Sequence, residues 1–380
     1  MSLRVLHITR TALTVETFLQ PLLAEHRARG HDVELAFGQT SSTPQDLGVP
    51  VHPYPIDRSA RPDRLAVAIG ALERIMRSGR FDVIVAHMVL AGFAARLAFG
   101  LARRPGRLLY VSHGLPCHPT RSGVGRWAAL QMERVLSRWT DGIIVLNRFD
   151  YRTATQYRLA GAAGQVHFLR TVGIPAADIV RMAAALDRGA YRKGLGLAAD
   201  VPVITYAGRF TRPKGVPIFL EIVRHLVRGG VKAQFVIAGS GPLEGFARRS
   251  IETNRLAEHV RLLGWYSDMV GLLAASDILC LPTLYEGAPV IVQEAMAAGA
   301  VVVASDVPGP QDLVEHRTTG ILVPPADVER FAGELTDLLA APSRRDQLAQ
   351  QARRQAAHFD VSIWAPAWAE AIESVGRPRP

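Results

Sequence analysis

The sequence predicts an α/β protein made of two doubly wound, Rossmann-like domains. Three observations carry this. Short apolar runs of strand character alternate throughout with longer amphipathic stretches, the pattern of parallel strands joined by crossover helices. The pattern is interrupted once, between Gly173-Ile-Pro175 and Val201, and then starts again. A chain of 380 residues is also long enough for two cores rather than one. The expected division is residues 1–172, residues 173–358 and a tail over 359–380. Two such halves imply a ligand-binding cleft.

In the first half the strands are predicted at Val5–Ile8, Val33–Phe37, Val83–Ala86, Leu108–Ser112, Gly142–Leu146 and Val166–Leu169. Helical runs lie between them at Phe18–Arg29, Leu65–Arg77 and Trp127–Trp139. The second half has strands at Val203–Ala207, Phe235–Ala238, Val260–Leu263, Ile278–Leu281, Val301–Ala304 and Ile321–Val323. In the tail, Phe359, Trp364 and Trp368 recur at roughly helical spacing, which reads as a terminal helix docked on a domain.

Composition narrows the class. The chain is 48% hydrophobic and 21% charged, ordinary for a globular protein. Two cysteines, Cys117 and Cys280, make no disulfide framework and point to an intracellular protein. The first strand begins at once with no basic-then-apolar leader, and the most apolar window, 83–102, is broken by His87, Arg96 and glycines, so no membrane span is expected. The net charge of +10 is uneven: residues 1–172 hold 22 Arg against 12 Asp and Glu, and the remainder is neutral. An anionic membrane surface or phosphorylated substrate fits such a half. A solvated arginine-rich surface fits it equally, and no nucleic-acid motif accompanies the charge.

The chemistry concentrates between Leu281 and Gly299, which contains Glu286 and Glu294. Glu286 sits in a turn at the carboxyl end of a buried strand. Pro289 opens a helix and Gly299 stops it, placing Glu294 about one and a half turns in. Open α/β sheets bind ligands at that edge, and a helix amino terminus there suits a phosphate. Two flanking carboxylates can hold hydroxyls on either side of a diphosphate. The competing readings are a solvated loop carboxylate for Glu286 and a structural ion pair for Glu294. Gly208 to Gly215 brings Arg209 and Lys214 to one loop after a strand, a fork and a point charge for phosphate. Gly239 and Gly241 form a small loop of the nucleotide-approaching kind, without the full dinucleotide spacing. His113 ends a strand of the first half, where it either contacts substrate, exchanges a proton near neutral pH, or packs structurally. Cys117 and His118 lack zinc-spaced partners, and no G-x-S-x-G occurs.

Taken together, GRFTRPKG at 208–215, GSGP at 239–242, VRLLGW at 260–265 and the block 276–309, with its Glu286-x7-Glu294 pair, resemble family 4 of the retaining glycosyltransferases, which have the GT-B fold. Asp306-Val-Pro-Gly309 and Gly320-Ile-Leu-Val323 continue that pattern. HITRTAL at 7–13, VSHG at 111–114 and the stretch 132–151 look like the polysaccharide and lipid-linked-oligosaccharide branch.

The resemblance implies two Rossmann-like domains facing across a cleft, an acceptor-binding first and a donor-binding second, with the C-terminal helix packing back toward the first. It implies a nucleotide-diphosphate sugar donor, a UDP-sugar first, and a glycan acceptor carried on a polyprenyl diphosphate. The place would be the cytoplasm or the inner face of the cytoplasmic membrane. No cofactor or metal is expected. Arg209 and Lys214 would bind the diphosphate, and Glu294 the ribose. Glu286 would contact the donor sugar, with Gly287, Ala288 and Pro289 beside it. Gly239 and Gly241 would line the donor site, Gly264 and Trp265 would lie at the base, and His113 would touch the donor sugar. The loop after the first strand lacks the family's glycines, leaving Thr11 and Thr14 as acceptor contacts. A soluble natural-product acceptor, a nucleotide-sugar epimerase and a non-catalytic sugar-nucleotide sensor are the other readings.

Overall fold

The computed structural model describes residues 2–11, 14–38, 47–56 and 61–377. Ala12 and Leu13, within the loop after the first strand, and residues 378–380 of the tail lie outside them. The chain divides into two compact units: Met1–Gly173 with Val361–Pro380, and Ile174–Asp360.

The first unit holds a seven-stranded, wholly parallel sheet. Its strands are β1 (Arg4–Thr9), β2 (Asp32–Gly38), β3 (Val51–Tyr54), β4 (Val83–His87), β5 (Arg107–Ser112), β6 (Gly142–Val145) and β7 (Gln165–Phe168), in the order β3-β2-β1-β4-β5-β6-β7. The strands are buried on both faces, which is why they read as continuous apolar runs. The sequence reading missed β3. It is four residues long, contains Pro53 and pairs only with β2, so it is an edge strand with no apolar signature. It also missed the helix Val89–Leu101, which is apolar nearly all round because it lies in the core. Within that core the Arg96 guanidinium sits 4.0 Å from the Tyr110 ring and pairs with Glu133 at 2.6 Å, both side chains fully buried. Removing one partner of such a pair costs about 3–5 kcal/mol. The pair ties the helix Gly123–Leu136 to the helix Val89–Leu101.

The second unit has six parallel strands: β8 (Val203–Ala207), β9 (Gln234–Ala238), β10 (Val260–Gly264), β11 (Ile278–Leu281), β12 (Val301–Ser305) and β13 (Gly320–Val323). Their order is β10-β9-β8-β11-β12-β13. The tail is not one element. Phe359 is buried in the second unit at the end of a 3-10 turn, and a helix then runs from Val361 to Gly376 in the first. There the Trp368 indole donates to the Thr171 carbonyl at 2.8 Å, and Glu373 accepts from Arg29 and His31, both at 3.0 Å.

Candidate functional site

In the second sheet the chain passes from β8 to β9 and β10 on one side, then returns to β11 on the other. The carboxyl ends of β8 and β11 are therefore neighbours, and the sheet's switch point opens between them. The loops that follow are 208–215 and 282–289. They touch backbone to backbone: Gly215 has φ 79°, and a Cβ there would lie 1.9 Å from the Pro282 carbonyl oxygen. The Leu284 amide donates to Pro213 O at 2.8 Å, and the Tyr206 hydroxyl to Lys214 O at 3.1 Å.

This contact carries Lys214 to Glu286, Nζ to Oε2, at 2.5 Å. Glu286 is only 7% exposed, which rules out the solvated loop carboxylate. Thr283 supports it from below, its Oγ1 lying 2.8 Å from Pro213 O and 3.3 Å from Glu286 Oε1. Gly309, at φ 97°, closes the other side; a Cβ on it would come within 2.8 Å of the Glu286 Cβ. The sequence reading singled out neither Thr283 nor Gly309 as a site residue, although both lie inside the matched block. Their signal is position beside Glu286, legible only in three dimensions.

Arg209, on the same loop as Lys214, is exposed, and its guanidinium makes no hydrogen bond or ion pair among the described residues. Gly287 is buried, Ala288 partly buried, and Pro289 caps the helix Val290–Ala298 with no side-chain hydrogen bond. Glu294 projects from the second turn, half-buried. It has no partner among the described residues, so the structural ion pair is absent there, and burial pushes its carboxyl up to about 7. Gly239 and Gly241 are explained by packing. With φ 139° and 153°, their Cβ atoms would lie 1.9 Å from Gly208 O and 2.7 Å from Phe210 O. The loop after β9 is thus laid directly on the loop that bears Arg209. Gly264 ends β10 with φ 69°, and the Trp265 side chain beyond it is 68% exposed.

The first unit has its own switch point, between β1 and β4. Thr11 and Thr14 lie there, hydroxyl to hydroxyl at 2.8 Å. Thr14 is 4% exposed, and its hydroxyl also lies 3.5 Å from Met88 Sδ. The pair builds the turn, which leaves little of Thr14 for a ligand. His113 stands past the end of β5 with Nε2 buried and unpartnered, and burial pushes it down to about 4. It is neutral near pH 7, which removes proton exchange at that pH from its roles. Beside it lies a group of histidines that nothing in the linear chain connects. His7 Nδ1 is 3.0 Å from His87 Nε2, both lowered first by burial, and the His26 ring centroid lies 5.4 Å from that of His7. They come from β1, β4 and the helix Gln20–Ala28, far apart in the chain.

Among the described residues, no three or more His, Cys, Asp or Glu side chains are placed to share a metal ion. No described helix is long and apolar enough to cross a membrane. Chemically, the second-unit edge offers two cations for a diphosphate and two carboxylates for hydroxyls.

Comparison with known proteins gives a consistent picture. Residues 187–355 match the family model for glycosyl transferases group 1, and residues 14–190 match that for a glycosyl transferase 4-like domain. An Escherichia coli UDP-Gal:α-D-GlcNAc-diphosphoundecaprenol α-1,3-galactosyltransferase is 26% identical over 70% of this chain and 68% of its own. A D-inositol 3-phosphate glycosyltransferase of Saccharomonospora viridis is 27% identical over 92% of this chain and 86% of its own. Among solved structures, Anabaena Alr3699/HepE in complex with UDP-glucose superposes with a TM-score of 0.77, at 18% identity, over 98% of this chain and 100% of that one.

Proposed function

Because the chain belongs to the group 1 glycosyltransferases, with the two Rossmann-like units of the GT-B fold, we propose that it moves a sugar from UDP, with retention, onto a glycan carried by a polyprenyl diphosphate. The observation that carries the donor half is the meeting of Lys214 with Glu286 at the β8/β11 switch point, beside an unpaired Arg209. The two cations bind the diphosphate and stabilise the charge that develops on the departing nucleotide, a preorganised electrostatic role. Glu286 leaves Lys214 for the hydroxyls of the transferred sugar as the diphosphate takes its place, with Gly287 and Ala288 presenting backbone amides. Glu294 accepts from the ribose hydroxyls, which supply the partners its half-buried carboxyl lacks. His113, kept neutral, serves the substrate as a hydrogen-bonding group. Charge neutralisation by side chains is the reason a metal is not required in this scheme.

The Escherichia coli relative's name, with a UDP-galactose donor and a diphosphoundecaprenol-borne acceptor, supports both halves of the reading. So does the arginine excess of residues 1–172, which suits an acceptor at the anionic inner face of the cytoplasmic membrane. A soluble phosphorylated acceptor is the second reading, favoured by the near full-length match to the inositol 3-phosphate enzyme.

The test is a thermal-shift panel of UDP-, GDP-, ADP- and dTDP-sugars on the wild type and on the double variant Arg209→Ala/Lys214→Ala. Ligand at a hundred times its dissociation constant stabilises by about 2.7 kcal/mol. Selective stabilisation by UDP-sugars, lost in the double variant, is expected. Stabilisation that survives in the variant removes the diphosphate assignment, and preference for another nucleotide replaces the donor.

A further inference from the structure

We infer that the outward face of the helix Gly123–Leu136 docks this protein on an anionic lipid bilayer. The helix has an inward and an outward face, and the outward one carries three large apolar side chains around Gln131. Ala129, Glu133 and Leu136 turn inward, Glu133 held by the buried Arg96. On the opposite side Val124 is 80% exposed, Trp127 63% and Val135 47%. At about 100° per residue these three fall within an arc of about 80°, and they span about 16 Å along the axis. No packing within the unit accounts for this stripe.

The charge around it points to one occupant. Arg126 and Arg134 are exposed on the helix, and Arg121 and Arg138 flank it. Across residues 103–172 there are 11 Arg and only three acidic residues. Those three, Glu133, Asp141 and Asp150, are all buried. A segment that exposes arginines and no carboxylate of its own, with a tryptophan and two valines standing out of it, has the composition of a helix lying in the membrane interface. The aliphatic groups enter the acyl boundary, the indole sits at headgroup depth, and the arginines meet lipid phosphates. The helix follows the carboxyl end of β5, the sheet edge that carries His113. This deepens the membrane-presented acceptor proposed above and rests on it.

The experiment is flotation with phosphatidylcholine vesicles, with and without phosphatidylglycerol, at low and high salt. The wild type is expected to float only with phosphatidylglycerol, and less as salt rises. Val124→Asp/Trp127→Asp is expected to lower the floated fraction at least tenfold, and Trp127→Phe to keep it. An unchanged nucleotide-induced thermal shift reports that the double variant is folded. The inference falls if the wild type ignores phosphatidylglycerol or if the double-aspartate variant floats like wild type. It also falls if the variant breaks a dimer of a wild type that does not float, because the face is then a self-contact. Transfer to a polyprenyl-diphosphate-linked sugar in detergent separates the two proposals. Transfer without flotation removes only the docking face, and flotation without transfer removes only the acceptor.

Discussion

The carboxyl edge of the second sheet is built from charge, and that of the first from neutral rings. At β8 and β11 a lysine and a buried glutamate meet at 2.5 Å, with an unpaired arginine alongside. At β4 and β5 the corresponding edge holds His87 and His113, with His7 of β1 against His87, all kept uncharged by burial. One topology thus supports two kinds of edge. Under the proposed function the difference has a reason: a diphosphate is held by fixed charges preorganised in low dielectric, and a larger acceptor by shape and neutral hydrogen-bonding groups.

The comparison breaks most directly through activity. Lys214→Ala is expected to lower kcat/KM by about a thousandfold, the loss of roughly 4 kcal/mol of transition-state stabilisation. His113→Ala removes one neutral hydrogen-bonding group and is expected to cost about tenfold. Steady-state kinetics with a UDP-sugar decides. If the histidine variant is the more damaged of the two, the chemistry does not sit on the charged edge.

Backbone crowding gives the next largest contrast. A Cβ at Gly309 would press on Glu286 from 2.8 Å and require φ 97° of an alanine. Gly309→Ala is therefore expected to destabilise by about 1–3 kcal/mol and to impair transfer as well. Gly70 lies within the helix Pro62–Gly79, where a Cβ meets nothing closer than the tip of Arg74 at 3.9 Å. Gly70→Ala is expected to stabilise by roughly 0.5–1 kcal/mol. Thermal melts of the two variants should move in opposite directions, and a Gly309→Ala melt that does not fall would show that the tight packing around Glu286 is not strained by one carbon.

The same contrast explains what the sequence could disclose. Every strand of the second sheet was legible, because each is a buried apolar run between turn residues. Arg209, Lys214, Glu286 and Glu294 could be marked as candidates too, because they fall just after strands of that sheet in loops and a helix that the sequence pattern locates. The division of roles between Gly215, Thr283 and Gly309 was not, since it depends on loops far apart in the chain touching. In the first unit His7, His26 and His87 come from three separate elements, and nothing local in any of them announces the others. Edge strand β3 was also hidden, because Pro53 interrupts a four-residue segment with little apolar burial. The exposed stripe Val124, Trp127 and Val135 was hidden as well, because the predicted run Trp127–Trp139 starts after Val124 and only the burial of Glu133 against Arg96 shows which side is inward.

The response to pH is the most discriminating contrast, because its sign differs between the units. Burial lowers His26 and His113 to about 4. Below the unfolded value near 6.5 the unfolded chain takes up protons that the native rings refuse, so stability is lost as pH falls. From pH 8 to pH 6 each should cost about 1 kcal/mol. Glu294 is raised to about 7 by burial. Between its unfolded value near 4.5 and 7 the native carboxyl holds the extra proton, so stability is gained over the same step, again by about 1 kcal/mol. Hydrogen exchange at the two pH values, corrected for intrinsic rates, should therefore show β1, β4 and β5 losing protection while β11 and β12 gain it. Glu294→Gln should flatten the second slope and leave the first intact. Parallel slopes in both units, or a Glu294→Gln variant that still gains protection on acidification, would mean that these buried groups do not set the units' separate responses.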